Sequence, residues 1–404
     1  VRRLLAGLLV FVAACGSTGD AGVITAVGVQ RETVREAPVE ETVRGLTAFG
    51  YELYGRTARP TENYVISPLS IAYAYGMARA GAAPATGTEL DGVFGFPAEG
   101  PHTAFNLLTS QIVTTYGPPP PAREREENEP RREPPVVAIA NGLFTQRGFT
   151  PKQPFLHTLA AQYGTGVHDV DFTGDATEVI DAWADEQTAG RIKKVFDRLD
   201  PKTRAVVTNA VYLRADWREP FGKEAPEQAA FTRGDGTTVQ TTLMRHKTPM
   251  RYAEGQGWQA VELRYAESEL AMWILVPPAG TSPAGLLSPQ TLRQAGAGMK
   301  EAPVDLAMPK WDFDTSIDLV RQVPLKSNDF SGIADGLFLG QAIHRATITV
   351  DEQGTEAAAV TGMAFPASAG PEAEAVVRAD HPFAFVIMHL PTSTPLFLGH
   401  VVDP

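Results

Sequence analysis

The sequence predicts an α+β domain built on large, mostly antiparallel sheets, and three features of the chain carry that prediction. Helical spacing comes early, in the stretch after Pro38, in IAYAYGMARAGA, and at Phe105, Leu108 and Ile112. Strand-like runs dominate afterwards: VVAIANGLF, AVVTNAVYL, AVELRY, ELAMWILVPP, VDLAMP, ATITV, FAFVIMHL and PLFLGHVV. They rarely alternate one-for-one with helices, which argues against a doubly wound parallel sheet. No internal repeat divides the chain, and 404 residues suffice for one large domain or two ordinary ones.

Taken in order, the chain opens with VRRLLAGLLVFVAAC: Arg2 and Arg3, an apolar run from Leu4 to Val12, then Ala13 and Ala14 before the single cysteine. A basic start, an apolar middle and small residues at the cut are the layout of a secretory signal. VAAC followed by Gly16 also resembles the lipobox of bacterial lipoproteins, in which Cys15 takes the lipid and becomes the mature amino terminus. A plain signal peptide, or a buried helix with an incidental cysteine, is the alternative. With Cys15 lipidated, no thiol remains for disulfides, thiolate catalysis or a cysteine metal site. Residues 16–37, rich in Gly, Thr, Val and charge, read as a flexible tether to a domain spanning 38–404.

Pro38 suits a helix start, and Val39, Val43, Leu46, Leu53 and Tyr54 keep helical spacing after it. Residues 117–135, GPPPPAREREENEPRREPP, mix proline with charge and lack apolar periodicity. Such a segment buries too little surface to offset the entropy of ordering, and reads as a mobile surface loop. Beyond it the strands follow, interrupted by a helix predicted from Ala176 to Phe196.

The formal net charge of −12, with no basic patch, argues against a nucleic-acid or anionic-membrane binder. No GxSxG elbow, HExxH or P-loop is present, so no catalytic residue is assigned. Gly255, Gly257 and Ala260 fit a dinucleotide fingerprint loosely, but the residues that follow read as a strand where a helix is needed. His381, His389 and His400 lack acidic or cysteine partners at metal-ligand spacing and read as hydrogen-bonded side chains. Ser67 and Ser70 flank a proline before an apolar helix, and read locally as caps and buried hydroxyls.

The stretch DEQGTEAAAVTGMAFPASAG, residues 351–370, is too glycine-broken for a helix and too bland for a core strand. As a strand it would carry Gly354, Glu356, Ala358, Val360, Gly362, Ala364 and Pro366 on one face. Thr355, Ala357, Ala359, Thr361, Met363 and Phe365 would lie on the other. The second face is uncharged and can be buried, whereas Glu356 falls on the solvent-capable face. Parity alone leaves open a strand in waiting and a plain flexible linker.

Several separated motifs then match in order. NYVISPLSIAYAYGMARAGAAPATGTEL, ANGLFTQRGF, LDPKTRAVVTNAVYLRADWREPF, ELRYAESELAMWILVPP, IHRATITVDEQGTEAAA and DHPFAFVIMHLPTSTPLFLGHVVDP together resemble the serpins over roughly residues 39–404. The resemblance implies the serpin fold, with about eight or nine helices, three mostly antiparallel sheets and an exposed reactive-centre loop within 352–378. It implies a protease inhibitor, not an enzyme, that needs no cofactor and acts as a monomer. A target serine protease cleaves the loop and is held as a covalent acyl complex. The loop's amino-terminal part then inserts into the central sheet, releasing stored strain.

By position, Glu352, Gly354, Thr355, Glu356, Ala357, Ala358 and Ala359 match the proximal hinge, with Thr355 the first side chain to be buried. The usual spacing puts the scissile bond at Ser368–Ala369, suiting an elastase-like or subtilisin-like protease, and Phe365 offers a second register for a chymotrypsin-like or subtilisin-like one. Ser67, Ser70, Asn209 and His344 match a hydrogen-bonded group that controls sheet opening, and Trp217 the aromatic near the start of insertion. Val360, Gly362 and Pro366 depart from the family pattern in ways that slow zipping, and VPLKSNDFSGIADG is short for its position. The charged proline loop neighbours a helix that binds heparin in some serpins, but its near balance of charge does not suit a polyanion. A non-inhibitory serpin-fold lipoprotein acting as a carrier is the second reading. In either case the protein is expected outside the cell, touching the membrane only through lipid on Cys15.

Overall fold

The computed structural model describes residues 22–121, 133–222, 224–356 and 373–404. The helices are α1 (Val39–Thr57), α2 (Pro68–Arg79), α3 (Pro84–Phe94), α4 (His102–Ile112), α5 (Gln153–Thr158), α6 (Ala176–Gln187), α7 (Pro289–Gly298) and α8 (Leu319–Gln322). The first strands are β1 (Val23–Ile24), β2 (Tyr64–Ile66), β3 (Val136–Gln146), β4 (Val167–Val170), β5 (Ala205–Asp216), β6 (Glu227–Thr232), β7 (Thr238–Gly255) and β8 (Trp258–Arg264). They are followed by β9 (Leu270–Val276), β10 (Lys300–Pro309), β11 (Trp311–Asp318), β12 (Gln341–Val350), β13 (Gly354–Thr355), β14 (Ala375–Arg378), β15 (Phe383–His389) and β16 (Thr394–Val401).

Among the described residues the strands form two hydrogen-bonded sheets. The central sheet runs β1-β4-β3-β5-β13-β12-β11, and a nine-stranded sheet runs β14-β10-β7-β8-β9-β15-β16-β2, with β6 also on β7. The long β7 serves two groups of strands: β6 and β10 pair with residues 238–252, and β8 takes over at 251–255. Two of the three expected sheets are therefore continuous through one long strand. Most pairings are antiparallel; β3–β4, β5–β12 and β10–β14 are parallel. α2 packs its buried face beneath the central sheet, its amino terminus capped by Ser67, whose side chain accepts from the Ser70 amide.

Two expectations change. Residues 22–37, read as part of a tether, lie on the domain: β1 pairs with β4, the Glu32 amide donates to the Ala161 carbonyl at 2.8 Å, and Arg31 reaches Thr109 Oγ1 at 2.7 Å. The helix predicted to Phe196 stops at Gln187, because Ala189 and Gly190 take φ of +49° and +83°. The apolar spacing beyond belongs to a non-helical segment whose Ile192, Val195, Phe196 and Leu199 pack on Phe144, Val206 and Ala210 of β3 and β5. This segment crosses the central sheet. Residues 1–21 and 122–132, which hold Cys15 and most of the charged proline loop, lie outside the described residues.

The close crossing of α1 and α3 yields a stability prediction. A Cβ on Gly45 would lie 2.3 Å from the Phe94 carbonyl oxygen, backbone that cannot swing away. Gly45→Ala should lower stability by about 1–3 kcal/mol, read as a lower unfolding temperature at fixed scan rate; an unchanged temperature refutes the contact.

Candidate functional site

Among the described residues β5 and β12 of the central sheet are paired at the two ends and not between them. β5 and β12 pair directly and in parallel only through Val206–Ala210 and Gln341–Arg345. At the far end β13 lies between them, antiparallel to both, with Gly354 and Thr355 opposite Asp216 and Ala215, and Thr355 opposite Val350. Between these ends no register pair joins residues 211–214 of β5 to β12. Among the described residues, that unpaired stretch is where a further strand would fit.

At its closed end a polar line crosses three strands. Asn141, Asn209 and His344 are Cα partners across β3, β5 and β12. The Asn209 amide nitrogen faces Asn141 Oδ1 and the carbonyl and hydroxyl of Ser70, while His344 Nδ1 donates to Asn209 Oδ1. His344 Nε2 accepts from the Ser67 amide at 3.1 Å, and the Ser70 hydroxyl donates to the Ala210 carbonyl at 3.4 Å. This pattern needs a neutral imidazole. Complete burial pushes the His344 pKa down to about 3, so it is neutral at physiological pH. The four residues expected to form this group are thus in contact, and Asn141, which the sequence reading missed, belongs with them. Its signal was a lone amide in the apolar run VVAIANGLF.

At the open end the hinge turns tightly. Asp351 Oδ1 accepts from the amides of Gln353 at 2.7 Å and Gly354 at 3.1 Å. Trp217 fixes this turn from below, Nε1 donating to the Asp351 carbonyl at 3.0 Å and its amide to the Gln353 carbonyl at 2.7 Å. Its ring stacks on Tyr265, with centroids 4.6 Å apart. Tyr265 Oη and Thr355 Oγ1 share a hydrogen bond of 2.6 Å, and Thr355 is 3% exposed. Glu352 pairs with Lys310 at 3.2 Å. Gly354 has no room for a side chain, since a Cβ there would lie 2.1 Å from the Ala215 carbonyl oxygen.

Glu356 departs from its expected solvent face. Its amide still donates to the Thr349 carbonyl at 2.8 Å, but φ is +56° and the strand ends there. The side chain is 19% exposed and lies 3.7 Å from Arg191. The rest of the hinge, Ala357, Ala358 and Ala359, and the reactive-bond positions Phe365, Ser368 and Ala369, lie outside the described residues.

The family model described as serpin (serine protease inhibitor) matches residues 44–404. The chain belongs to the serpin family. Serpins similar to it include an uncharacterised serpin-like protein of Thermococcus kodakarensis, 31% identical over 92% of this chain and 88% of that one. The leukocyte elastase inhibitor of Bos taurus is 30% identical over 85% of this chain and 94% of its own length. Among solved structures, the native thermophilic serpin tengpin superposes with a TM-score of 0.80 at 22% identity, covering 94% of this chain and 98% of its own. Human thyroxine-binding globulin in complex with thyroxine superposes at 0.77 and 26% identity, covering 91% of this chain and all of that one. The serpin family consists mainly of protease inhibitors, not enzymes.

Proposed function

We propose that this serpin is a single-use trap for a serine protease of elastase-like, subtilisin-like or chymotrypsin-like specificity. The observation that supports this reading most is the hinge: Gly354 and Thr355 already pair between β5 and β12, next to a stretch where the described residues leave β5 and β12 unpaired, and Ala357, Ala358 and Ala359 that follow Glu356 in the sequence are all small. Bulky or charged residues in place of those alanines would favour a carrier instead. In the proposed reaction the protease serine oxygen attacks the Ser368 carbonyl, an ester forms, and the amine of Ala369 leaves. Residues after Thr355 then zip between β5 and β12, carrying the bound protease away before water completes the cleavage. Phe365 is the alternative point of attack.

The test mixes protein beginning at residue 22 with elastase, subtilisin, chymotrypsin and trypsin and resolves the products on denaturing gels. A covalent species of summed mass is expected with at least one of the first three. Cleavage by all of them with no such species at any ratio refutes the trap and favours the carrier. Mass spectrometry of the released carboxyl-terminal peptide should find it starting at Ala369.

We place the protein outside the cell as a monomer held at a bacterial surface by lipid on Cys15. Labelled fatty acid should mark the wild-type chain and leave Cys15→Ser unlabelled; label on the variant refutes this attachment.

A further inference from the structure

Glu356 is the residue at which the hinge leaves the sheet, and its surroundings come from three separate elements. The segment after α6 supplies Arg191. β5 supplies Tyr212 and Arg214, which both favour the ionised carboxyl, and β11 supplies Asp312, which opposes it. Arg191 does more than face Glu356. One Nη2 reaches Asp312 Oδ1 at 3.0 Å and Thr347 Oγ1 at 3.2 Å, and also bonds Thr349, so a single guanidinium spans β11, β12 and the hinge. Thr349 is also the residue whose carbonyl takes the Glu356 amide. The planar fork of arginine suits this task and an ammonium does not.

We infer that Arg191 is the positioning residue of the hinge: by tying Glu356 to β11 and β12 it holds the loop's first two residues in the sheet, and loosening it releases them. For pairing to extend past Glu356, its φ of +56° must give way to extended values and the carboxyl must leave its present seat. Arg191 therefore acts on both directions of movement, out of the sheet and further into it. The consequence for trapping rests on the proposed function, but hinge docking can be measured with no target protease.

Proton linkage gives the test its signature. Burial pushes the Glu356 carboxyl up to about 8, outweighing Arg191, Arg214 and Tyr212, which lower it, while Asp312 adds to the rise. A carboxyl raised in the docked state and near 4.5 when released favours docking fully below 4.5, and this contribution is lost as pH rises toward about 8. Above that pH the ionised group depends most on Arg191.

The experiment is hydrogen exchange of residues 351–356 in the full chain, expressed as protection factors from pH 5 to 9. For Arg191→Met, protection should fall little at pH 5 and by roughly tenfold at pH 9, the equivalent of one unit of pKa. Glu356→Gln should be flat with pH, and Arg191→Lys should recover part of the loss at high pH. Exchange in α2 and α6 monitors folding. Unchanged protection in Arg191→Met, or a fall that is the same at every pH, overturns the inference.

Discussion

On the proposed trapping mechanism, replacing Thr355 by arginine is expected to leave a substrate in place of an inhibitor. The site is 3% exposed, and the hydroxyl sits against Tyr265, itself stacked on Trp217. A guanidinium would replace a hydroxyl whose partner is the Tyr265 hydroxyl, and stripping it of water costs on the order of several kcal/mol. Each 1.4 kcal/mol shifts the race between insertion and ester hydrolysis about tenfold, so covalent complex should fall by at least that factor while loop cleavage continues. Thr355→Ser, which keeps the hydroxyl, should trap normally. Gel densitometry of complex against cleaved inhibitor reads the partition, and an undiminished complex in Thr355→Arg would show that insertion does not pass through this position.

The second large effect is expected from Asn209→Ala. Asn209 joins Asn141 to His344 across three strands and binds Ser70 below. Without it several buried polar groups lose their partners, at about 1–3 kcal/mol for each group left unsatisfied. The direct pairs between β5 and β12 should then separate more readily, and the uncleaved protein should convert to inactive inserted or associated forms faster on warming. Native gels and residual inhibitory activity over time measure the rate; a variant as durable as wild type removes the cluster from sheet control. Acid offers an independent probe. His344 falls from 6.5 to about 3 on burial, so its contribution to stability is present above pH 6.5 and is lost as pH falls toward 3. An imidazolium cannot accept from the Ser67 amide.

What the sequence disclosed follows from which signals are local. α1 and α2 were legible because their apolar spacing is uninterrupted. β7 was not, since Arg245, Lys247 and Arg251 break its apolar pattern, although their faces are partly open to solvent. At the hinge, parity put Thr355 on the uncharged face, the resemblance made it the first side chain to be buried, and it is buried. It misjudged Glu356 because the cover on that face comes from residues after α6, distant in sequence and folded there only by the turn at Ala189 and Gly190. Tyr265, Asn141 and Arg191 were missed for the same reason: each is identified by what it touches, and nothing in its neighbouring residues declares the partner.

The docking of residues 22–37 bears on how the protein would stand at a surface. If lipid sits on Cys15, only residues 16–21 separate the anchor from Gly22, whose carbonyl accepts from the Asp169 amide of β4. Fully stretched, the steps from Cys15 to Gly22 reach about 25 Å. The edge of the central sheet at β1 would thus face the bilayer at short range, and the molecule would present itself to approaching proteases in a restricted range of orientations, not as a balloon on a long string.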